Sequence, residues 1–270
     1  MPDSVQVRLA DVQETLLLPL WGRAVETQKK KPLLHDPLAV AIIKRLDYDF
    51  ASIARTINPL SQLGWVARCL LFDGLVRRFL ERHPRGTVVN LGCGFDTTFE
   101  RVDNGSVRWY DLDLPDVITA RKQLLAEHPR RTHIAQSFLE NGWHDAVPTG
   151  DGVLFMSAGV LYYFTELEIR NFLKRLADRF PGSEIVFDAT PNVSFSNRVV
   201  LKRGKFNALL VWGLKDPAVL ESWDERITVA EAIPMFRDAR KMMSGFTRLF
   251  AAISDRLKLQ YVVRLEMRGR

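Results

Sequence analysis

Two regimes of hydrophobic spacing divide this chain. Up to residue 83 the apolar positions recur at helical intervals; from residue 87 onward, short β-branched runs alternate with helical stretches. Residues 1–60 read as helical, capping material, with apolar stretches at Leu16-Leu17-Leu18-Pro19-Leu20-Trp21 and at Ala39, Val40, Ile42, Ile43 and Leu46, interrupted by Pro32 and Pro37. A strong helix is predicted over 64–83, where Trp65, Cys69, Phe72, Leu75, Val76 and Phe79 make one stripe and His83-Pro84-Arg85-Gly86 stops it. Thr87–Leu91, Val107–Leu112, His133–Gln136, Val153–Ser157 and Glu184–Asp188 read as strands, and Val117–Leu125 as a helix. A further helix opens on a capping box, Thr165 standing three residues before Glu168, with Ile169, Phe172, Leu173 and Leu176 as its apolar face and Pro181-Gly182 as its end. The chain closes with a strand Ile227–Ala230, a helix around 234–254 and a strand Leu259–Leu265.

Strand, helix and strand in succession predict an α/β fold with a mostly parallel sheet covered on both faces. We expect one domain over 1–270, an N-terminal helical cap over 1–63, and a lid-like insertion over 191–225. That insertion carries Phe195, Phe206, Trp212 and Trp223 and is too long for a simple connection. Its aromatic residues suit either packing or an aromatic acceptor.

Length and composition narrow the setting. With 270 residues, 47% hydrophobic and 26% charged, the chain can bury a core without staples. Its two cysteines, Cys69 and Cys93, have no metal-ligand or redox spacing, which favours a reducing compartment. The run at 16–21 is too short to span a bilayer and has no basic leader, so a cytoplasmic enzyme without membrane contact is expected. The net charge is +6, but its only run, Lys29-Lys30-Lys31 before Pro32, reads as a solvated loop. No aromatic and basic interleaving points to nucleic acid. The basic balance equally suits anionic small molecules or solubility alone.

The chemistry concentrates at Asn90-Leu91-Gly92-Cys93-Gly94-Phe95-Asp96-Thr97. A strand running into Gly-x-Gly brings backbone close to a ligand at the carboxyl edge of an open sheet. Asp111 and Asp113 end the next strand, about 20 residues on, where a carboxylate meets ribose hydroxyls. A dinucleotide site asks for a third glycine where Thr97 stands, and Asp96 near the helix start repels a pyrophosphate while suiting an ammonium group. A ribose, an ammonium and no phosphate describe S-adenosyl-L-methionine. Arg68 falls on the apolar stripe of its helix and needs an anion. Either it clamps the cofactor carboxylate with its guanidinium fork, or it forms an internal salt bridge, as to Asp73 or Asp96, or its side chain snorkels out to solvent.

At these residues the sequence resembles the leucine carboxyl methyltransferase family, and especially its bacterial branch associated with polyketide O-methylation. The resemblance runs through Glu14-Thr15-Leu16-Leu17-Leu18-Pro19-Leu20, Arg23-Ala24, Asp36-Pro37-Leu38-Ala39, Asp47-Tyr48-Asp49-Phe50, the glycine turn, Trp109-Tyr110-Asp111-Leu112-Asp113-Leu114-Pro115, Gly159-Val160-Leu161-Tyr162-Tyr163 and Phe180-Pro181-Gly182-Ser183. It implies a doubly wound, Rossmann-like class I methyltransferase fold, mostly parallel and seven-stranded, with N-terminal helices and a helical lid. It also implies that Arg68 binds the cofactor carboxylate, that Gly92 lies against the methionine and that Asp113 holds the ribose; Gly94, Asp96 and Ala158 are counted with them as cofactor-binding candidates. Ser137 and Phe138 match the adenine position, while Arg23 and Tyr163 resemble positions facing cofactor or substrate. Two departures stand out: Thr98 replaces a frequent arginine, and Ala158 replaces a frequent glutamate or glutamine.

The expected reaction is methyl transfer to a carboxylate, or a phenol, of a small and polyketide-like acid, by a monomer or homodimer. A carboxylate is ionised at neutral pH and needs no base, whereas a phenol, with a pKa of about 10, does. Of the histidines, His144 is retained as the candidate base. Three other readings remain: a methyltransferase for a protein's C-terminal carboxylate, a cofactor-binding scaffold without catalysis, and, disfavoured by Thr97 and Asp96, an NAD-dependent dehydrogenase.

Overall fold

A computed structural model of the chain describes residues 15–193 and 209–269. Its centre is a seven-stranded sheet in the order β3-β2-β1-β4-β5-β7-β6, built from β1 (Thr87–Leu91), β2 (Arg108–Asp113), β3 (Arg131–Ala135), β4 (Val153–Ser157), β5 (Glu184–Ala189), β6 (Ile227–Pro234) and β7 (Tyr261–Met267). The first five strands pair in parallel, and β7 inserts antiparallel between β5 and β6. β1, β4 and β5 are buried along their whole length, which explains why they read as continuous apolar runs rather than alternating ones. The order reverses between β1 and β4, and the crevice at their carboxyl ends is where open α/β sheets bind ligands.

Alternate side chains of each strand feed two cores. On one face Val89, Leu91, Phe155 and Phe187 meet Ile169, Phe172, Leu173 and Leu176 of α7 (Glu166–Arg179). Thr165 and Glu168 form the expected capping box at its start. On the other face Val88, Trp109, Leu154 and Val186 meet Phe72, Leu75, Val76 and Phe79 of α4 (Pro59–Arg82). A third cluster joins the cap helices α1 (Leu17–Thr27), α2 (Pro37–Arg45) and α3 (Phe50–Thr56) to Phe95 and Leu124. Leu124 ends α6 (Pro115–Leu124); the short α5 (Thr98–Val102) follows the glycine turn, and α8 (Gly245–Arg256) precedes β7.

Several boundaries move. α4 begins at Pro59 rather than near 64, because the Asn58 side chain caps the Leu60 N–H and Pro59 takes the first helical position. The helix expected around 234–254 shrinks to α8: β6 runs on to Pro234 through a bulge between Val229 and Glu231, and residues 235–244 form turns and a short 3₁₀ stretch, Ala239–Met242, before α8 opens. Within the insertion, Trp212 and Trp223 are buried core residues, Trp212 packing against Phe187 and Trp223. Phe195 and Phe206, like Glu14, lie outside the described residues. Among the described residues no helix is long and apolar enough to cross a membrane.

Candidate active site

The glycine turn shapes a cleft at the sheet's switch point. Gly92 has φ +64°, and a Cβ there would meet Val160 at 2.7 Å. Gly94 has φ +46°, and its Cβ would meet Leu16 at 2.9 Å. Both glycines are needed for conformation and for space. The cleft is lined by Gly92, Gly94 and Asp96 of the turn, Arg23 of α1, Arg68 of α4, and Ala158, Tyr162 and Tyr163 after β4. Thr15, Trp65, Asp188, Thr190, Leu210 and Gln260 also line it. Both cysteines also line it, far apart in sequence, and burial pushes each thiol upward.

The structure separates the two aspartates of β2. Asp113 sits at the strand's end, where its carboxylate accepts the N–H of Gly94 at 2.7 Å and of Leu114 at 2.8 Å. Burial raises its pKa against those two bonds. Asp111 is fully buried beneath the turn, held by both Nε and Nη2 of Arg121 at 3.1 and 2.7 Å and by Trp109 Nε1 at 2.9 Å. Asp111 therefore anchors the turn, and Asp113 is the half-buried carboxylate at the end of β2, outside the residues that line the cleft.

Asp96 receives Asn90 Nδ2 at 3.1 Å and the N–H and hydroxyl of Thr98 at 3.1 and 3.0 Å. Burial pushes its carboxyl up, but Arg101, Arg23 and Arg121 outweigh that and hold it below the usual carboxylate range. It stays an anion facing the cleft. Thr98, the first departure, is thus a partner of Asp96, and it also accepts Arg101 Nη2 at 2.9 Å.

Arg68 is buried, and its anion is neither Asp73 nor Asp96. Nη1 pairs with Asp188 on β5 at 3.0 Å and reaches the Tyr162 hydroxyl at 3.3 Å. Both contacts use one nitrogen of a group with five N–H donors, and the side chain borders the cleft. The guanidinium lies flat on Gly159, whose φ is +86° and whose Cβ would meet Nη1 at 2.7 Å. The other oxygen of Asp188 accepts the Gly159 N–H at 2.6 Å, so beside Ala158, the second departure, a carboxylate arrives from β5 instead. Asp73, for its part, binds Arg101 through both oxygens, at 2.8 and 2.9 Å.

Arg23 is buried rather than a surface residue; Nε pairs with Asp36 at 2.9 Å and Nη2 donates to the Phe95 carbonyl at 2.7 Å. Tyr163 hydrogen-bonds with Thr15, and burial raises its pKa, keeping it a neutral donor. Ser137 and Phe138 lie just past β3 and outside this lining. Phe138 is a core residue in edge contact with Phe164 and Phe172, because the bend after Ser137 turns its ring inward. His144 does not reach the cleft. It stacks on Trp143 at 3.9 Å between ring centroids, carried into the core by a short 3₁₀ turn, and burial and the nearby Arg175 and Arg179 lower its pKa.

Asp188, Tyr162, Arg101, Arg121 and Asp36 carry the site and were not singled out from sequence. Asp36 and Tyr162 had stood only inside longer motifs. A buried arginine requires a buried acid, which is the signal that pairs them, but spacing alone does not say which acid.

Comparison with known proteins shows the family and the fold. Residues 17–177 match the leucine carboxyl methyltransferase family. The tetracenomycin polyketide synthesis O-methyltransferase TcmP of Streptomyces glaucescens is 33% identical over 219 residues, covering 80% of each chain. The S-adenosyl-L-methionine-dependent methyltransferase dpfgK of Gibberella zeae is 29% identical over 242 residues, covering 82% of this chain and 81% of its own. In fold, the chain is similar to a DUF574 family protein from Streptomyces avermitilis (TM-score 0.59, 15% identity, 93% and 97% covered). It is likewise similar to magnesium protoporphyrin IX methyltransferase (ChlM) from Synechocystis PCC 6803 with bound SAH (TM-score 0.53, 15% identity, 87% and 100% covered). The chain belongs to the leucine carboxyl methyltransferase family and is an S-adenosyl-L-methionine-dependent methyltransferase.

Proposed function

We propose that the chain methylates an oxygen of a small, polyketide-like aromatic acid, at its carboxylate. The observation that carries this reading is the make-up of the cleft: Tyr162 and Tyr163, the former backed by the Arg68 guanidinium, border one space that Trp65 and Phe95 also line. Such a lining suits an acceptor that enters already as an anion. The TcmP relative is named for polyketide synthesis, and we carry that acceptor class to this chain as part of the proposal.

The residues fit the cofactor. The turn at Gly92–Gly94 leaves room that a Cβ would fill, Asp113 at the end of β2 is assigned to the ribose in this reading, and ionised Asp96 suits an ammonium group. In this reading the uncommitted donors of Arg68 take the cofactor carboxylate, Ala158 flanks the methionine, and Ser137 with the Phe138 backbone borders the adenine. Arg23 acts through the turn it grips. When bound, S-adenosylmethionine supplies a methyl group on a sulfonium, already a strong electrophile. The protein's part is orientation and exclusion of water, and orientation alone is worth roughly 7–11 kcal/mol. Tyr163 and Tyr162 hold the acceptor carboxylate as donors. No proton need move, because a carboxylate is ionised at neutral pH. Of the lid expected over 191–225, residues 194–208 lie outside the described residues, and Leu210 lines the cleft.

The test is calorimetric titration with S-adenosylmethionine and SAH (S-adenosylhomocysteine), with NAD as control, followed by a screen of aromatic carboxylic acids and phenols for transfer of a labelled methyl. Ester formation with acids supports the proposal. Ether formation on phenols alone sinks the carboxylate reading, and methylation only of a peptide C-terminus moves the activity to a protein substrate.

A further inference from the structure

Three successive carbonyls of the glycine turn are each held by a buried arginine, from two opposite sides. From beneath, Arg121 Nη1 donates to Gly94 O at 2.9 Å and to Asp96 O at 2.7 Å. From above, Arg23 Nη2 of the cap helix donates to Phe95 O at 2.7 Å. Each arginine has its own aspartate, Asp111 below and Asp36 above. The two systems are stitched together: Asn90 Nδ2 reaches both Asp96 and Asp111, and Arg101 joins Asp36 to Thr97 and Asp73.

We infer that Arg121–Asp111 and Arg23–Asp36 are two halves of one clamp that sets cofactor affinity, and that the second half makes this affinity depend on the docking of the N-terminal cap. The inference rests on the cofactor reading above. Its physical basis is the alternation of a peptide turn. With carbonyls 94, 95 and 96 all drawn toward guanidiniums, the Gly94 N–H is directed to Asp113 and the Asp96 carboxylate to the cleft. A loop with two left-handed glycines has many other conformations open to it. Fixing one of them before the ligand arrives removes an ordering cost from binding. None of the four clamp residues need touch the cofactor, so they are positioning residues. The arrangement also links α1 and α2 to the turn: undocking the cap frees Phe95 O and loosens the same peptide that faces the ligand. By reciprocity, a bound cofactor holds the cap in place.

The test uses the full chain with SAH as probe. Arg121→Lys and Arg23→Lys keep a charge beside each buried aspartate while losing the fork that spans to the carbonyls. Asp36→Asn removes the anion of the upper half. SAH affinity is measured by calorimetry at a temperature where circular dichroism shows each variant folded, and amide hydrogen exchange is followed over 92–98 and over β4 and β5. We expect SAH to bind at least tenfold more weakly in each variant, with faster exchange over 92–98 and unchanged exchange in the strands. A merely structural role would lower the melting temperature and speed exchange across the sheet without that local pattern. Folded variants that bind SAH as tightly as the wild type overturn the clamp alone. A wild-type chain that binds no SAH overturns the cofactor reading and the clamp with it.

Discussion

The two halves of the cleft are built differently. In the proposed reading the cofactor half centres on one stretch, residues 90–113, in which Asp96, Asp111 and Asp113 together accept bonds from Asn90, Gly94, Thr98, Trp109, Leu114 and Arg121. The acceptor half is assembled from distant pieces, with Thr15 before α1, Trp65 on α4, Thr190 after β5, Leu210 in the insertion and Gln260 before β7. Its members belong to separate elements and are joined mainly through the sheet. A half that must hold one unchanging ligand can be locked by a local network. A half that decides the acceptor can change piece by piece without disturbing that network.

The sharpest way to break this contrast is at the residue that bridges the halves. Arg68→Ala leaves Asp188 buried without its counter-ion, and breaking such a pair costs about 3–5 kcal/mol. We expect a large drop in thermal stability together with loss of measurable SAH binding, checked by calorimetric melting and titration. Arg68→Ala with full stability would mean that Asp188 is not relying on this arginine.

A smaller effect tests the cofactor half alone. Gly92→Ala forces φ +64° on an L-residue, at about 1–2 kcal/mol, and drives its Cβ to 2.7 Å from Val160. Overpacking adds about 1–3 kcal/mol. SAH affinity should fall steeply while the sheet still melts cooperatively. Near-normal SAH affinity in this variant would show that the turn can relax, contrary to a locked half.

The acceptor half should respond in the opposite sense. Gln260→Ala removes one polar group from the far wall, and one hydrogen bond is worth about 0.5–1.5 kcal/mol. With an acid identified in the screen, we expect its KM to rise severalfold and the SAH dissociation constant to stay within twofold. A parallel loss of both would merge the two halves into one unit.

The same division decides what could be read from sequence. β1 and β4 were legible residue for residue, because buried parallel strands are short, β-branched and bounded by turn signals. The glycine turn and Asp113 were legible because their chemistry is local: a strand, two glycines and an acid at fixed spacing. Asp188 was not, since it comes to Arg68 across 120 residues and is an ordinary strand-end aspartate in sequence. The choice between Asp111 and Asp113 also needed the fold. They share one face of β2, and only the placement of Arg121 on α6 shows which is consumed as an anchor. In the tail the strand at 227–230 was legible and extends to Pro234 by pairing with β7, while the first part of the helix expected around 234–254 is instead turn and 3₁₀ structure, a tertiary outcome that local spacing does not carry.

The smallest effect concerns His144, the one histidine that sequence reasoning kept for base work. Neither ring nitrogen has a hydrogen-bond partner, and the ring lies flat on Trp143 within the core that also holds Phe155 and Phe180. Leaving a buried polar group unpaired costs about 1–3 kcal/mol, so an apolar ring of similar shape removes that penalty. His144→Phe adds some volume to a close-packed site, which works in the other direction. The two effects are of similar size, and we expect a stability change within about 1 kcal/mol by denaturant titration. Methyl transfer to the acid acceptor should keep its maximal rate and its pH profile, since the residue never meets the cleft. A steep loss of rate at unchanged stability would return a base to the mechanism and shift the acceptor from a carboxylate toward a group that must first lose a proton.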